Sequence, residues 1–388
     1  MMQTLALRDY SDWPKGEGLC GPYGAGKDMK TFKGGFALVH QVVKQNEGLS
    51  GAQSDQQTFY ALKEIRIRDE GQCAMVQREV DNLRKVKHAN ILEMVDAFYV
   101  SDPRIVFIVT QPWAPLSLEI LLRNALQGKF ERWHDMPNSR TWRSIISQCI
   151  TGVEYLHTGL IKPIKHKDLK PHNILLHVGA DPYFVRPIIA DFGISKEWEE
   201  NCTTDNRGTA QFKAPEQLKQ GRSMLKSDIW ALGCCFSLIL PLLPGSNIKL
   251  LELWEIVIGP VGGSGRNKEK NPGFSNNLDS VMEMLRRDES DDRSEFTKLF
   301  REMIMKMLLS EPRLRPNARD LDILFIDILV TTQPKYEGRG KPEVLVSLDQ
   351  ASAILFSRPE GIRATQSLND ALLRIRSANS FTSSNAVE

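Results

Sequence analysis

Apolar and polar positions along this chain change period several times, and each change marks a predicted element. Residues 32–39 (FKGGFALV) read as a strand, a glycine turn and a second strand, followed by a polar loop over 44–57. Residues 59–65 (FYALKEI) alternate apolar and polar, as a strand does. Over 73–86 the period lengthens, and Met75, Val76, Val80 and Leu83 fall near one face of a helix. Glu79 lies on that apolar face, where an unpaired carboxylate is costly, so it needs a cation; Lys63 on the preceding strand is the candidate. Residues 106–109 form a short strand, and 116–126 and 141–158 read as helices joined by the polar linker 129–139. Short apolar runs at 174–176 and 188–190 flank a hairpin tip at 179–187. Helices are predicted again over 278–287, 296–309 and 318–329, the first inside a Gly-rich and mixed-charge insert, 259–295.

The longest apolar run, 229–244, is shorter than the roughly 18–20 residues that cross a bilayer, and Pro241 interrupts it. It is predicted to be a core helix rather than a membrane span. Asp228 opens it, as a helix cap would with Ser227. Residues 1–28 are Gly-rich and expected to be irregular and flexible. Residues 332–388 are poor in apolar positions, and their end, SANSFTSSNAVE, is expected to be disordered.

Composition narrows the partners. Lys plus Arg number 50 against 48 Asp plus Glu, a net charge of +2, so no electrostatic reason exists to expect nucleic acid or an anionic membrane as partner. The six cysteines, at 20, 73, 149, 202, 234 and 235, form no C-x-x-C and suit reduced thiols in the cytoplasm or nucleus. No secretory pattern opens the chain; Met2 stands where myristoylation needs glycine, and the end, NAVE, is no prenylation box. Nothing indicates an oligomeric state.

The chemistry concentrates in 166–176, HKDLKPHNILL. Asp168 supplies a carboxylate that can accept a proton, Lys170 a cation beside it, and Asn173 a carboxamide oxygen able to ligate a metal. The apolar run after them would fix all three in place. Phosphoryl transfer from a nucleotide needs those parts. A separate G-x-x-x-x-G-K, Gly21 to Lys27, carries Asp28 where a phosphate-binding P-loop needs Ser or Thr, and no apolar strand precedes it; it is read as linker.

The stretch resembles the catalytic loop of eukaryotic-type protein kinases of the Ser/Thr class, with Lys167 in place of the usual arginine. Other motifs fall in family order: Lys63, Glu79, His88-Ala-Asn90, Asp191-Phe-Gly193, Gly208-Thr209, Ala214-Pro-Glu216 and Arg315. The resemblance covers about residues 30–331. It implies an α+β, two-lobed fold, with a small antiparallel-sheet N-lobe (29–113, one main helix) and a larger, mostly helical C-lobe (114–331), preceded by a segment 1–28 and followed by a tail 332–388. It further implies ATP and Mg2+ as cofactors and a protein Ser or Thr hydroxyl as acceptor. Asp168 would take or orient the hydroxyl proton, and Lys170 would stabilise the γ-phosphoryl. Asn173 and Asp191 would hold the metal, and Lys63, paired to Glu79, the α- and β-phosphates. Gly34, Gly35, Val39, Ala61, Thr110, Gln111, Trp113 and Leu175 would line the nucleotide. Asp228 would anchor the catalytic-loop backbone, and Glu216 would pair with Arg315. Leu83, Met94, His166 and Phe192 would stack as an apolar column. The glycine-rich turn departs from the family, with Phe32 and Ala37 at two glycine positions. That leaves a pseudokinase, a nucleotide-binding or scaffold module, as the alternative. Ser195, Thr203 and Thr204 lie in the segment where such enzymes are phosphorylated.

Overall fold

The structure is a computed structural model; it describes residues 7–11, 19–20, 22–24, 30–33, 37–44, 58–102, 104–129, 139–179, 185–198, 208–260, 272–287 and 294–332. All of them lie in one compact unit, Met1–Gln333.

The N-terminal lobe is a twisted sheet with one helix. Its strands are β1 (Arg8–Asp9), β2 (Leu19–Cys20), β3 (Tyr23–Gly24), β4 (Thr31–Lys33), β5 (Ala37–Lys44), β6 (Tyr60–Arg66), β7 (Glu93–Val100) and β8 (Ile105–Gln111), with helix α1 (Glu70–Lys85) between β6 and β7. They run in the order β1-β7-β8-β6-β5-β3-β2, and β4 also pairs with β5. Antiparallel register sets Lys63 opposite Val39 on one side and Ile108 on the other. Both faces are covered, which is why β8 reads as unbroken apolar sequence. Ile65, Val106 and Ile108 join Val76, Val80 and Leu83 of α1 in the main core. Leu62, Phe107 and Val109 face the opposite way, into a second cluster with Tyr23, Tyr60 and Phe98.

That second cluster departs from the expectation for the first 28 residues. Their short strands extend the sheet, with β1 parallel to β7 and β3 paired to the end of β5. Tyr23 is 1% exposed, stacks on Phe98 at 6.2 Å and donates its hydroxyl to Asp96 at 3.4 Å. Two-residue strands are too short to show a period, and one aromatic among glycines gives no pattern. Tyr23 is fixed by the apolar face it covers, a tertiary fact.

Helix α1 also starts earlier than its apolar stripe. Asp69 caps it, its Oδ1 accepting from the Gln72 N–H at 2.8 Å. An acidic cap with Gln three residues on was the available signal.

The C-terminal lobe follows as β9 (Leu116–Ser117), α2 (Leu118–Leu126), α3 (Ser139–Thr158), β10 (Ile164–Lys165), β11 (Ile174–Val178), β12 (Val185–Ile189), β13 (Lys196–Glu197), α4 (Pro215–Gln220), α5 (Leu225–Ile239), α6 (Leu250–Val257), α7 (Leu278–Arg287), α8 (Glu295–Met307) and α9 (Ala318–Thr331). Helix α5 is the lobe's axis and is buried nearly all round. A Cβ on its Gly233 would stand 2.8 Å from Met307 Cβ, so the close approach of α8 requires glycine there. Among the described residues, 225–242 is the one stretch long and apolar enough to cross a membrane, and 78% of it is buried inside the fold, as a core helix is. The insert positions 261–271 and 288–293, the threonines Thr203 and Thr204, and residues 333–388 lie outside the described residues.

Candidate active site

The loop from His166 to Asn173 runs from β10 through a 3-10 turn, Pro171–Asn173, into β11. Asp228, in the first turn of α5, fixes its backbone. One carboxylate oxygen accepts the His166 N–H at 2.8 Å and the other the Lys167 N–H at 2.9 Å, and His157 Nε2 lies 3.0 Å from the first. Burial pushes this carboxyl up, but the His157 hydrogen bond, the nearby imidazoles and the Lys167 N–H outweigh it and hold the group below the ordinary carboxylate value. Asp228 is not a cap: Met224 occupies the N-cap position, and the Ser227 hydroxyl takes its N–H. Local sequence shows only an Asp at a helix start; the anchoring of a loop about 60 residues upstream, which the resemblance implied, is made by packing and is present here.

Lys167 has φ +71°. Beside it Gly208, at φ +114°, passes so close that a Cβ would lie 2.9 Å from the Lys167 carbonyl. This contact brings Thr209 onto Asp168. Asp168 Oδ1 accepts from the Thr209 N–H and hydroxyl, both at 2.8 Å. Its Oδ2 accepts from Lys170 Nζ at 2.6 Å and Asn173 Nδ2 at 3.3 Å. Lys170 Nζ also reaches the Thr209 hydroxyl at 2.7 Å, and Asn173 Nδ2 donates to the Asp168 carbonyl at 2.9 Å. Thr209, which in the sequence is only half of the Gly208-Thr209 motif, is therefore part of the site.

A second cluster joins the two lobes, with Lys63 and Glu79 from the N-terminal lobe and Asp191 from the C-terminal one. Lys63 Nζ is 2.6 Å from Glu79 Oε1 and 3.8 Å from Asp191 Oδ1. Burial works against the Lys63 ammonium, yet the charges of Glu79 and Asp191 outweigh it and raise its pKa. The Lys63 charge, offset in part by burial, holds Asp191 below the ordinary value. Asp191 takes φ +69°, which turns its carboxylate toward Lys63 while Phe192 turns inward. Phe192 is fully buried, its ring 5.0 Å from that of His166. Leu83 and Phe192 share the main core, with Met94 packed against it.

Ser195 does not fit the expectation of an accessible phosphorylation site. It is 0% exposed and donates its hydroxyl to the His166 carbonyl at 3.0 Å, while its own carbonyl accepts from Asn82 Nδ2 at 3.1 Å. It links α1 to the loop that carries Asp168. A lone serine in a polar stretch carried no sign of this, nor did His157 at the end of α3.

The remaining nucleotide-lining candidates fall around the cleft. Thr110 is buried, its hydroxyl 3.4 Å from the carbonyl of Ala61, its partner across the β6–β8 ladder. Gln111 ends β8 with its side chain on Glu93 at 2.7 Å. The Trp113 carbonyl contacts His177 Nδ1 at 3.3 Å, and its ring lies 5.7 Å from Phe32. Val39 and Leu175 are half-buried, on β5 and β11. Gly34 and Gly35 lie outside the described residues. Behind the site, Arg315 forks both nitrogens onto Glu216 at 2.8 Å, as expected for the segment after Thr209.

The family described as "Protein kinase domain" matches residues 34–322. Relatives include a Cyclin-dependent kinase 4 homolog of Caenorhabditis elegans, 30% identical over 59% of this chain and 54% of that protein. A Calcium/calmodulin-dependent protein kinase of Metarhizium anisopliae is 34% identical over 51% of this chain and 46% of its own length. Death-associated protein kinase 2 of Mus musculus is 31% identical over 54% and 52%. The match spans about half the length of these relatives. With the family match covering well over half of the chain, and with the sheet-and-helix N-lobe and helical C-lobe described above, this chain belongs to the eukaryotic-type protein kinase family.

Proposed function

We propose that the protein is an ATP-dependent serine/threonine kinase that transfers the γ-phosphoryl group to a protein hydroxyl. The observation that carries this reading is the joining of two clusters. Asp168 is held by Lys170, Asn173 and Thr209, and Lys63 is paired with Glu79 and Asp191 across the cleft. Asp168 takes the proton of the attacking hydroxyl as its oxygen bonds to phosphorus and the bond to the leaving diphosphate breaks. Lys170, already on Asp168, supplies positive charge to the transferring group. Lys63 does the same for the α- and β-phosphates, and Glu79 keeps it aimed. Val39, Ala61, Thr110, Gln111, Trp113 and Leu175 would surround the base and sugar.

The residues fit a magnesium ion bound jointly with phosphate. Among the described residues no group of three or more His, Cys, Asp or Glu is placed to hold a metal alone. That suits magnesium, which uses one or two protein ligands plus substrate phosphates. Asp191 stays anionic, and Asn173 directs its nitrogen to Asp168, leaving its carboxamide oxygen for the ion. When bound, the ion would neutralise phosphate charge. The reading goes with a cytoplasmic or nuclear location, where ATP and reduced thiols coexist.

Phe32 and Ala37 at two glycine positions favour the second reading, a pseudokinase scaffold. Turnover of Mg-ATP on a generic Ser/Thr protein substrate separates the two. Asp168→Asn and Asp191→Asn are each expected to lower kcat by about a thousandfold or more with the fold kept; Asn at 168 replaces one acceptor of the Lys170 and Thr209 bonds by a donor and should lower Tm modestly, and Asn at 191 tolerates positive φ. Near-normal turnover in either variant would refute the mechanism.

A further inference from the structure

A cavity of about 260 Å3 opens beside the catalytic loop on the C-lobe side. Lys170 and Thr209 form one wall, and both touch Asp168, at 2.6 and 2.8 Å. A side chain entering the cavity therefore belongs to a residue near the one whose hydroxyl meets Asp168. With an extended chain advancing about 3.3 Å per residue, that means within about three positions.

The chemistry of the lining selects what enters. Phe212, Leu238 and Trp254 form a buried apolar floor, with half-buried Ile258 at the rim. Glu119 is the one carboxylate among the described lining residues, and it is already engaged. Its Oε1 accepts from Arg123 Nε at 2.8 Å and lies 2.7 Å from Nη2, and its Oε2 lies 3.4 Å from His172 Nδ1. The His172 hydrogen bond, with Arg123, holds this carboxyl down at about 2, against its partial burial. The Arg123 guanidinium in turn lies 5.1 Å from the centroid of the Trp254 ring, so that ring already has one cation stacked on it. A basic side chain would meet a carboxylate already shared with Arg123 and His172, beside the charges of Arg123 and Lys170; an apolar one has to displace only water.

We infer, resting on the kinase reading above, that this cavity recognises a large apolar side chain (Leu, Met or Phe) within three residues of the phosphoacceptor, and discriminates against a basic one. Lys170 then serves both the reaction and the wall that registers the substrate, while Trp254 and Ile258 set specificity.

The test uses the full chain, Mg-ATP and synthetic peptides: a serine in an alanine background, with Leu, Met, Phe, Arg or Glu placed singly at each of the three positions on either side. At one position the Leu peptide is expected to exceed the Ala peptide roughly tenfold in kcat/KM, with Arg no better than Ala. Ile258→Asp should collapse the Leu:Ala ratio to about twofold or less, a ratio in which general loss of activity cancels. Ile258→Ser gives the same readout where the aspartate unfolds the protein. Glu119→Gln should leave the ratio unchanged. Arg preferred, and the preference lost in Glu119→Gln, would overturn the inference, as would a flat profile or a Leu preference untouched by either Ile258 variant. In each of those cases the serine is still phosphorylated and the kinase reading stands. If no peptide or generic protein is phosphorylated at all, the kinase reading itself fails and this inference with it.

Discussion

Replacing Lys63 by Met should cost more activity than replacing Glu79 by Gln, and the double replacement should cost little more than Lys63→Met alone. Lys63 sits between two carboxylates, 2.6 Å from Glu79 and 3.8 Å from Asp191. At an effective dielectric near 20, unit charges this close attract by roughly 4–6 kcal/mol. Glu79, with its side chain 8% exposed, has been desolvated, and solvent still reaches the 26%-exposed Lys63; both remove much of that attraction. A coupling of ~1–3 kcal/mol remains, or about 5- to 150-fold. The two single variants differ in what they strand. Without Lys63, Glu79 and Asp191 face each other, and one takes a proton. Without the Glu79 charge, Lys63 still has Asp191. The assay is a double-mutant cycle on kcat/KM for a peptide substrate, with Tm measured in parallel. Losses that simply multiply would mean the pair does not act as a unit and would refute the argument.

Glu216→Gln strands the guanidinium of Arg315, whose side chain is 0% exposed, and should cost ~3–5 kcal/mol, roughly 6–15 °C in Tm. Adding Arg315→Met should recover part of that; a Tm unchanged in the single variant would show that the backbone carbonyls around Arg315 suffice. Acid sensitivity should follow Asp228, whose folded pKa lies below its ordinary value of 3.8. The stability it contributes is full above that pH and is lost as pH falls through the folded value, so Asp228→Asn, less stable at neutral pH, should show a flatter acid limb in pH-dependent unfolding. Lys167 presents a point charge where an arginine would grip a phosphate with two prongs, so protein dephosphorylated at Thr203 and Thr204 should keep measurable activity, with phosphorylation adding a modest gain. Activity lost on phosphatase treatment, checked by mass spectrometry, and regained only on rephosphorylation would refute this.

Local chemistry and period determined much of this protein in the sequence alone. The strand of Lys63, the stripe of α1 with Glu79 on its apolar face, and the polar cluster of 166–173 were legible because each is written within a few residues. The pairing of Lys63 with Glu79 followed because a carboxylate on a buried stripe needs a cation, and 2.6 Å separates them. Contacts made at long range by residues with no local signature could not be read this way. Tyr23 was hidden among glycines, yet it caps the outer face of the sheet. Ser195 sat in a polar stretch, yet its hydroxyl is buried on the His166 carbonyl. Asp228 looked, by itself, like a helix cap; only the family resemblance placed it on the loop that carries Asp168, and its two oxygens do hold that loop. Thr209 reached that aspartate because Gly208 lets the chain pass against Lys167. The cavity floored by Phe212, Leu238 and Trp254 draws on three elements whose apolar residues are, in sequence, only core. Periodicity says which side of an element is buried; which neighbour it meets, and whether a buried hydroxyl or carboxylate finds its partner, is settled only when the elements pack.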